Sequence, residues 1–203
     1  MFRRKPSEPS TQARDALKDP DFGNGVTCDY DPGIWARMPR AGEDRTTWAT
    51  AHTTAYAVDL GLTDGDPVLE GARAAFDEAA DRLLTHTVDV LALPQPARGI
   101  ASMVGYVDVL DEELGLLEHA DPEVFLRFDD IAPEATVKVT DFPTARDPQA
   151  FRYSTIGDPR AGQRLFRAHR QLGPDRHLFA MVIHTDPKNV EHALRLVRRT
   201  SVA

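Results

Sequence analysis

The most informative feature of this sequence is a change in the spacing of its apolar residues near residue 87. Before that point apolar residues recur every three or four positions, which is typical of amphipathic helices. After it they alternate with polar residues in short segments separated by proline or glycine, which is typical of β-strands. A few helices followed by many strands cannot form two separate cores. The pattern therefore predicts an α+β fold in which the helices cover a sheet.

Two helices are predicted in the first part of the chain. Residues 43–60 are expected to form a helix that ends at Gly61, and residues 66–85 a second one that begins with Asp66 as cap and Pro67 in the first turn. The expected buried stripe of the first helix is Trp48, Ala51, Ala55, Val58 and then Leu62. Trp48 and Tyr56 are interpreted as core and rim residues rather than as a binding cage.

Seven later segments have the alternation of strands, and they predict a curved, mainly antiparallel sheet of about six strands. The segments are residues 87–94, 99–110, 124–130, 135–143, 150–157, 163–172 and 177–184. The last two are separated by a short Gly-Pro turn and should form a hairpin. The final segment is apolar on both faces, which predicts a central position in the sheet.

Near the C-terminus, His184 and His192 flank an Asp-Pro-Lys sequence and could be taken for a metal or catalytic pair. Ordinary structure accounts for the same residues: a strand end, a helix start at residues 185–187, and an amphipathic helix. The predicted buried face of this helix is Val190, Ala193, Leu194, Val197 and Ser201. His192 points away from that face, so we predict the junction of a strand and a helix and no site.

Domain organisation follows from the distribution of polar and apolar residues. Residues 1–25 are rich in proline, serine and charge without apolar periodicity, and they predict a flexible tail. Residues 26–203 are expected to form a single α+β domain. At its start, two prolines hold the chain extended around Trp35, which predicts an edge strand or arm that lays this ring on the core.

The net charge of −8 is concentrated in residues 108–134, which contain ten acidic residues and one basic residue, Arg127. This distribution argues against binding of a nucleic-acid backbone and permits a basic protein partner. A single cysteine, Cys28, excludes an intrachain disulfide, and no apolar run is long enough to insert into a membrane. We therefore expect a cytoplasmic protein.

None of the sequence patterns forms a convincing catalytic or metal-binding constellation. Ser102 lacks the glycine spacing of a hydrolase elbow, and Asp129 and Asp130 would point to opposite faces of a strand. His169 and His177 should approach each other on adjacent strands, but the sequence shows no third ligand nearby. We therefore assign no catalytic, cofactor-binding or metal-binding residue, and we expect no cofactor.

The order of elements at the C-terminus, together with the aromatic arm DPGIWARMP, resembles the PsbP-like/DcrB-like α/β/α sandwich family over residues 29–203. The two consecutive helices before the main strands depart from that family's pattern. The resemblance implies a mostly non-enzymatic role, since members bind small GTPases or photosystem subunits or act as chaperones for secreted effectors. A composition rich in Ala, Arg, Asp and Val is similar to that of high-GC bacteria, which would exclude the photosystem role.

Two hypotheses about function follow. The first is a non-enzymatic cytoplasmic adaptor or chaperone-like protein that binds another protein and is linked to bacterial secretion. The second is a small enzyme or ligand-binding protein whose site is assembled from distant residues such as His169, His177 and Asp130. A pocket lined by convergent polar side chains would favour the second hypothesis, and a flat or grooved apolar face would favour the first. The sequence predicts neither the identity of the partner nor the oligomeric state.

Overall fold

A computed structural model describes residues 11–23, 25–39, 42–81, 89–95, 100–111, 121–143, 150–158, 163–184 and 189–202. Within these ranges the helices are α1 (Gln12–Asp15), α2 (Arg45–Leu60), α3 (Pro67–Asp81), α4 (Pro122–Arg127) and α5 (Val190–Arg199). The strands are β1 (Asp21–Gly23), β2 (Val26–Cys28), β3 (Ala36–Arg37), β4 (Asp89–Gln95), β5 (Ile100–Asp111), β6 (Thr140–Phe142), β7 (Phe151–Asp158), β8 (Gln163–Gln171), β9 (Arg176–His184) and β10 (Thr200–Val202). The fold is α+β, as predicted.

The described strands form two antiparallel sheets rather than the single sheet of about six strands that we predicted. The large sheet has seven strands in the order β3-β4-β5-β9-β8-β7-β6, and the small sheet has the order β1-β2-β10. β8 and β9 form the predicted hairpin, and β9 occupies the predicted central position between β5 and β8. The strand count differs because the small sheet joins three-residue strands from both ends of the chain, which are too short to show alternation.

Part of the segment predicted to be a flexible tail is folded against the domain. The backbone N–H groups of Ala13 and Arg14 in α1 donate hydrogen bonds to the carboxylate of Asp59 in α2. A few residues later, β1 pairs with β2. Polar contacts thus hold this part of the segment, and composition does not reveal them. Residues 1–10 of the predicted tail lie outside the described residues.

The ends of α2 agree with the sequence, but its buried face does not. The side chain of Asp44 caps the first turn, and Gly61 ends the helix in the left-handed region at φ +65°. Val58, which we predicted to be buried, is 67% exposed. His52 and Asp59 are buried instead. The prediction is wrong at these positions because it followed apolar residues, whereas the polar ones have contacts inside the protein.

The predicted strand at residues 124–130 is also wrong, because most of it belongs to the helix α4. The side chain of Asp121 accepts the backbone N–H of Glu123, and Pro122 occupies the first turn. Leu126 and Phe128 are fully buried. Short apolar runs cannot be assigned to helix or strand from periodicity alone, and here the Asp-Pro start signal determines the outcome.

Helices lie on both faces of the large sheet. A side chain at Gly105 in β5 would meet Leu196 of α5 at 3.1 Å and the ring of Trp35 at 3.3 Å, so α5 and Trp35 pack on one face. Ala36, the next residue, packs instead with Phe76 of α3. Because neighbouring residues of an extended chain point to opposite sides, α2 and α3 cover the other face. The arm therefore lays Trp35 on the core as predicted.

The C-terminal amphipathic helix is confirmed with a modified buried face. Ala193, Leu196 and Val197 are buried, while Leu194 packs at the edge of the core. Ser201 lies beyond the helix, in β10. The predicted helix start at residues 185–187 lies outside the described residues. No helix in the described ranges is both long and apolar enough to cross a membrane.

Candidate functional site

A concave pocket lies between the N-terminal arm and the helices α1, α2 and α3, and we call it the aromatic pocket. Its volume is about 260 Å³. One wall comes from α1 and residues 32–36, and the other comes from α2 and α3. The lining residues are Thr11, Arg14, Pro32, Gly33, Ile34, Trp35, Ala36, His52, Tyr56, Leu60 and Phe76.

The α2 wall follows from a four-residue spacing in the sequence. Trp48, His52, Tyr56 and Leu60 are successive members of an i, i+4 series, so they form one row along the helix. The first member is anchored by its indole N–H, which donates to the backbone carbonyl of Arg37 at 2.6 Å. The other three members contribute to the pocket lining. The row thus attaches α2 to the sheet at one end and forms a wall of the pocket at the other.

His52 is held by aromatic rings on two sides. Its ring centroid lies 4.7 Å from that of Trp48 and 5.5 Å from that of Phe76, with an interplanar angle of 27° to the latter. Trp48 and Phe76 also meet edge to face at 5.7 Å. Such ring contacts restrict the orientation of the imidazole. Phe76 comes from α3, so the arrangement depends on the packing of the two helices.

The imidazole of His52 is neutral near pH 7. Only 8% of the residue is exposed, and burial lowers the pKa of His52 from 6.5 to about 4. No side chain or backbone group in the described part of the chain forms a hydrogen bond with its ring nitrogens. A buried imidazole carries one donor and one acceptor, and both stabilise it only when they are paired. The open space beside His52 is the pocket itself.

Arg14 and Asp59 hold α1 in place over the pocket. The Arg14 Nε donates to the Asp59 carboxylate at 2.8 Å, and its guanidinium also donates to the carbonyl of Gly33 at 3.2 Å. Burial opposes ionisation of Asp59, but hydrogen bonds from Arg14 and from two backbone N–H groups outweigh it and lower its pKa. The guanidinium lies 5.3 Å from the Tyr56 ring centroid. α1, the arm and α2 are therefore connected around one ion pair.

A second concavity, which we call the polar cleft, lies at the opposite end of the large sheet. Strand register places Asp141 opposite Arg152 and Arg152 opposite His169, so the three lie in a row on one face. Glu123 at the start of α4 accepts hydrogen bonds from Arg152. The cleft has a volume of about 460 Å³ and is more open than the aromatic pocket. Its polar residues converge from four separate segments.

The two strand histidines meet beside this cleft as expected. His169 Nε2 and His177 Nδ1 are 2.8 Å apart, and the planes of the two rings are inclined by 20° to each other. Burial, then the neighbouring His177 and Arg152, lower the pKa of His169 to about 4. A contact of this length is a hydrogen bond in which one ring nitrogen donates to the other.

The other residues considered from sequence are engaged elsewhere. Asp130 forms an ion pair with Arg167, whose guanidinium lies between the rings of Phe125 and Phe128. His184 is buried in β9, and His192 lies on α5 beside Trp35. The side chain of Ser102 lies outside the described residues. Burial raises the pKa of Cys28 to about 11, which makes its thiol a poor nucleophile.

Within the described ranges, no group of three or more His, Cys, Asp or Glu side chains could hold a metal ion. The sequence pattern indicates only core and rim positions for Trp48 and Tyr56, and it does not indicate a role for His52, Arg14 or Asp59. The available signal was the aromatic i, i+4 series on the first helix.

Comparisons of the chain with protein-family models, with curated proteins and with solved structures find no match.

Proposed function

We propose that this protein binds a small organic molecule in the aromatic pocket and that binding, rather than catalysis, is the role of this site. The observation that carries the proposal is a nearly buried, neutral His52 whose nitrogens have no hydrogen bond from the described residues and adjoin a pocket. Mainly apolar concavities with a few well-placed polar groups are the usual form of ligand sites. This is the ligand-binding branch of our second hypothesis, at a different location from the one we expected.

The dimensions support a ligand of one or two rings. A cavity of roughly 150 Å³ lined by apolar side chains is known to take up benzene. The aromatic pocket is larger, at about 260 Å³, and has aromatic side chains on its helical wall. A compact ring system would cover the apolar surface of Tyr56, Leu60 and Phe76, and burial of this surface would drive binding.

Both tryptophans of the chain report on this region. Trp35 lines the aromatic pocket, and Trp48 contacts His52 from behind. We therefore expect a bound ligand to change the intrinsic tryptophan emission. A library of one- and two-ring compounds can be screened by this change, and hits can be confirmed by saturation-transfer NMR, which detects the ligand directly.

A matched pair of variants tests the location. Leu60→Trp places a larger side chain in the lining, whereas Val58→Trp adds the same ring on an exposed position of the same helix. We expect the Leu60 variant to lose the saturation-transfer signal of every confirmed hit and the Val58 variant to retain it. Equal signals in the two variants would place the ligand elsewhere. A library without any hit would contradict the proposal itself.

The adaptor hypothesis remains a second candidate, and one observation favours it. β6 is an edge strand of the large sheet, and its Asp141 side chain is 73% exposed beside the polar cleft. An edge strand can pair with an extended segment of another protein, and the carboxylates here suit a basic one. On this candidate the protein is a cytoplasmic adaptor or chaperone-like protein linked to bacterial secretion. The link to secretion rests only on the order of elements in the sequence.

The adaptor candidate predicts a partner whose capture depends on Asp141. Wild-type protein, Asp141→Lys and Asp64→Lys should be compared as baits, with the captured proteins identified by mass spectrometry. The Asp64 side chain is 98% exposed in the loop between α2 and α3, so it controls for the change in net charge. A basic protein lost only with Asp141→Lys supports the candidate. Identical captures with all three baits contradict it.

A further inference from the structure

The walls and polar groups of the aromatic pocket define the class of its ligand more narrowly, and this inference rests on the proposed function. We propose that the ligand is an uncharged aromatic ring system carrying one hydroxyl or N–H group, which forms a hydrogen bond with His52. The shape of the pocket, the hydrogen-bonding state of His52 and the charge of the lining all support this class.

The shape of the pocket favours a flat ring. The helical wall of the pocket carries the aromatic side chains of Tyr56 and Phe76 beside His52. Aromatic walls favour planar ligands, because offset stacking and edge-to-face contacts stabilise ring pairs by about 0.5–1.5 kcal/mol beyond their burial. A branched aliphatic ligand of the same volume would be stabilised by burial of its apolar surface but not by these ring contacts.

The hydrogen-bonding state of His52 favours a ligand with a single polar group. The ring of His52 packs against Trp48 and Phe76, which also contact each other, so the imidazole presents its nitrogens in a limited set of directions. A neutral imidazole offers one donor and one acceptor. A hydroxyl group can pair with either of them, and an N–H group can pair with the acceptor.

The charge of the pocket lining excludes a cationic ligand. Among the lining residues that the structure describes, Arg14 is the only charged one, and none of them is a carboxylate. The nearest acidic partner, Asp59, is already bound by the Arg14 side chain and by two backbone N–H groups. A cation in the pocket would therefore meet the Arg14 guanidinium without a counter-charge, which is unfavourable in a partly desolvated site.

Three probes of one shape separate these contributions: naphthalene, 2-naphthol and 2-naphthylmethylammonium. Their dissociation constants can be measured by chemical-shift titration of ¹⁵N-labelled full-length protein at pH 7. We expect 2-naphthol to bind about tenfold more tightly than naphthalene, the ratio that corresponds to one buried hydrogen bond. The ammonium probe should bind more weakly than either.

His52→Phe is the matched variant, because phenylalanine keeps a ring packed against Trp48 and Phe76 and cannot form hydrogen bonds. We expect 2-naphthol to lose its advantage over naphthalene in this variant, provided that its melting curve shows a folded protein. The ring ¹⁵N resonances of His52 in the wild-type protein give a second measurement that needs no variant. They should shift with 2-naphthol and stay nearly unchanged with naphthalene.

The outcomes separate this inference from the proposed function. Equal affinities for naphthalene and 2-naphthol, or tighter binding of the ammonium probe, would overturn the ligand class while leaving a ligand pocket in place. If 2-naphthol still binds more tightly than naphthalene in His52→Phe, the proposed role of His52 is wrong. The same holds if the His52 ring resonances of the wild-type protein do not shift with 2-naphthol. Absence of binding by all three probes and by the wider library would overturn the proposed function as well.

Discussion

A single imidazole links the aromatic pocket to the stability of the protein. His52 is buried without hydrogen bonds from the described residues, and its folded-state pKa is about 4 against 6.5 for an exposed histidine. On acidification the unfolded chain therefore takes up a proton at His52 before the folded chain does. Stability from this residue is complete above pH 6.5 and is lost as the pH falls from 6.5 towards 4.

This sign gives a test at the residue scale. Lowering the pH from 7 to 5 should cost wild-type protein about 2 kcal/mol of unfolding free energy through His52 alone, from a pKa difference of this size. His52→Phe should lose that part of the pH dependence. Urea titrations at the two pH values measure it, and a variant with the same loss as wild type would contradict the assignment. His169→Phe should remove a separate contribution of the same sign, because burial lowers that pKa as well.

At the scale of elements, polar anchors position segments that apolar periodicity does not. α1 has no buried residue, yet it is held against α2 by the carboxylate of Asp59. α4 is held in a similar way, since Arg167 of β8 bonds to both the Phe125 carbonyl and Asp130. Such buried charges require partners, because an unpaired one is strongly unfavourable.

Asp59→Asn tests the attachment of α1. The substitution keeps the side-chain shape but leaves the Arg14 guanidinium, which is only 11% exposed, without its carboxylate. Removing one member of a buried ion pair costs about 3–5 kcal/mol, and the remaining amide oxygen should reduce this to roughly 2–4 kcal/mol. Urea titration gives the free energy, and limited proteolysis should show earlier cleavage within residues 11–19. Asp64→Asn, at a fully solvated position, is the control and should be neutral.

The docking of α5 is tested at two adjacent positions. Leu196 is 1% exposed and reaches the face of β5 at Gly105, so Leu196→Ala should cost about 2–5 kcal/mol. Arg195 is exposed and pairs with Glu191 on the helix surface, so Arg195→Ala should change stability by no more than about 0.5 kcal/mol. If denaturant titration finds the two variants equally stable, α5 is not part of the core.

At the scale of the whole molecule, the small sheet joins the two ends of the chain. β2 lies between β1 and β10, so residues 200–202 near the C-terminus pair with residues 26–28 near the N-terminus. The carbonyl of Thr200 also accepts a hydrogen bond from the buried Arg170 of the large sheet. The C-terminal strand thus covers Cys28, which is fully buried.

Removal of residues 200–203 should open this region. In the intact protein the Cys28 thiol is buried with a pKa of about 11, so it should react with a thiol reagent only on the timescale of unfolding. The shortened chain should have a lower melting temperature and should react much faster under native conditions. Fast labelling of the intact protein would contradict the burial of Cys28. Equally slow labelling of both would show that β10 does not protect the thiol.

Helix ends, the hairpin and the central strand can be predicted from the sequence alone, because they depend on local chemistry. The cap at Asp44 and the stop at Gly61 place α2, and alternation around the Gly-Pro turn places the hairpin of β8 and β9. Continuous apolar character places β9 in the centre of the sheet. Each of these follows from a periodicity or a backbone preference contained within about twenty neighbouring residues.

Which polar residues are buried, and which partners they contact, depends on the packing of distant segments. Arg14, Asp59 and His52 come together from α1 and α2 through contacts between segments about 45 positions apart in sequence. The row of Asp141, Arg152 and His169 depends on the register of three strands, and a slip of one residue would turn each side chain to the other face. The physical reason is that burial of a polar group is favourable only with a specific distant partner, and periodicity within one segment carries no information about that partner.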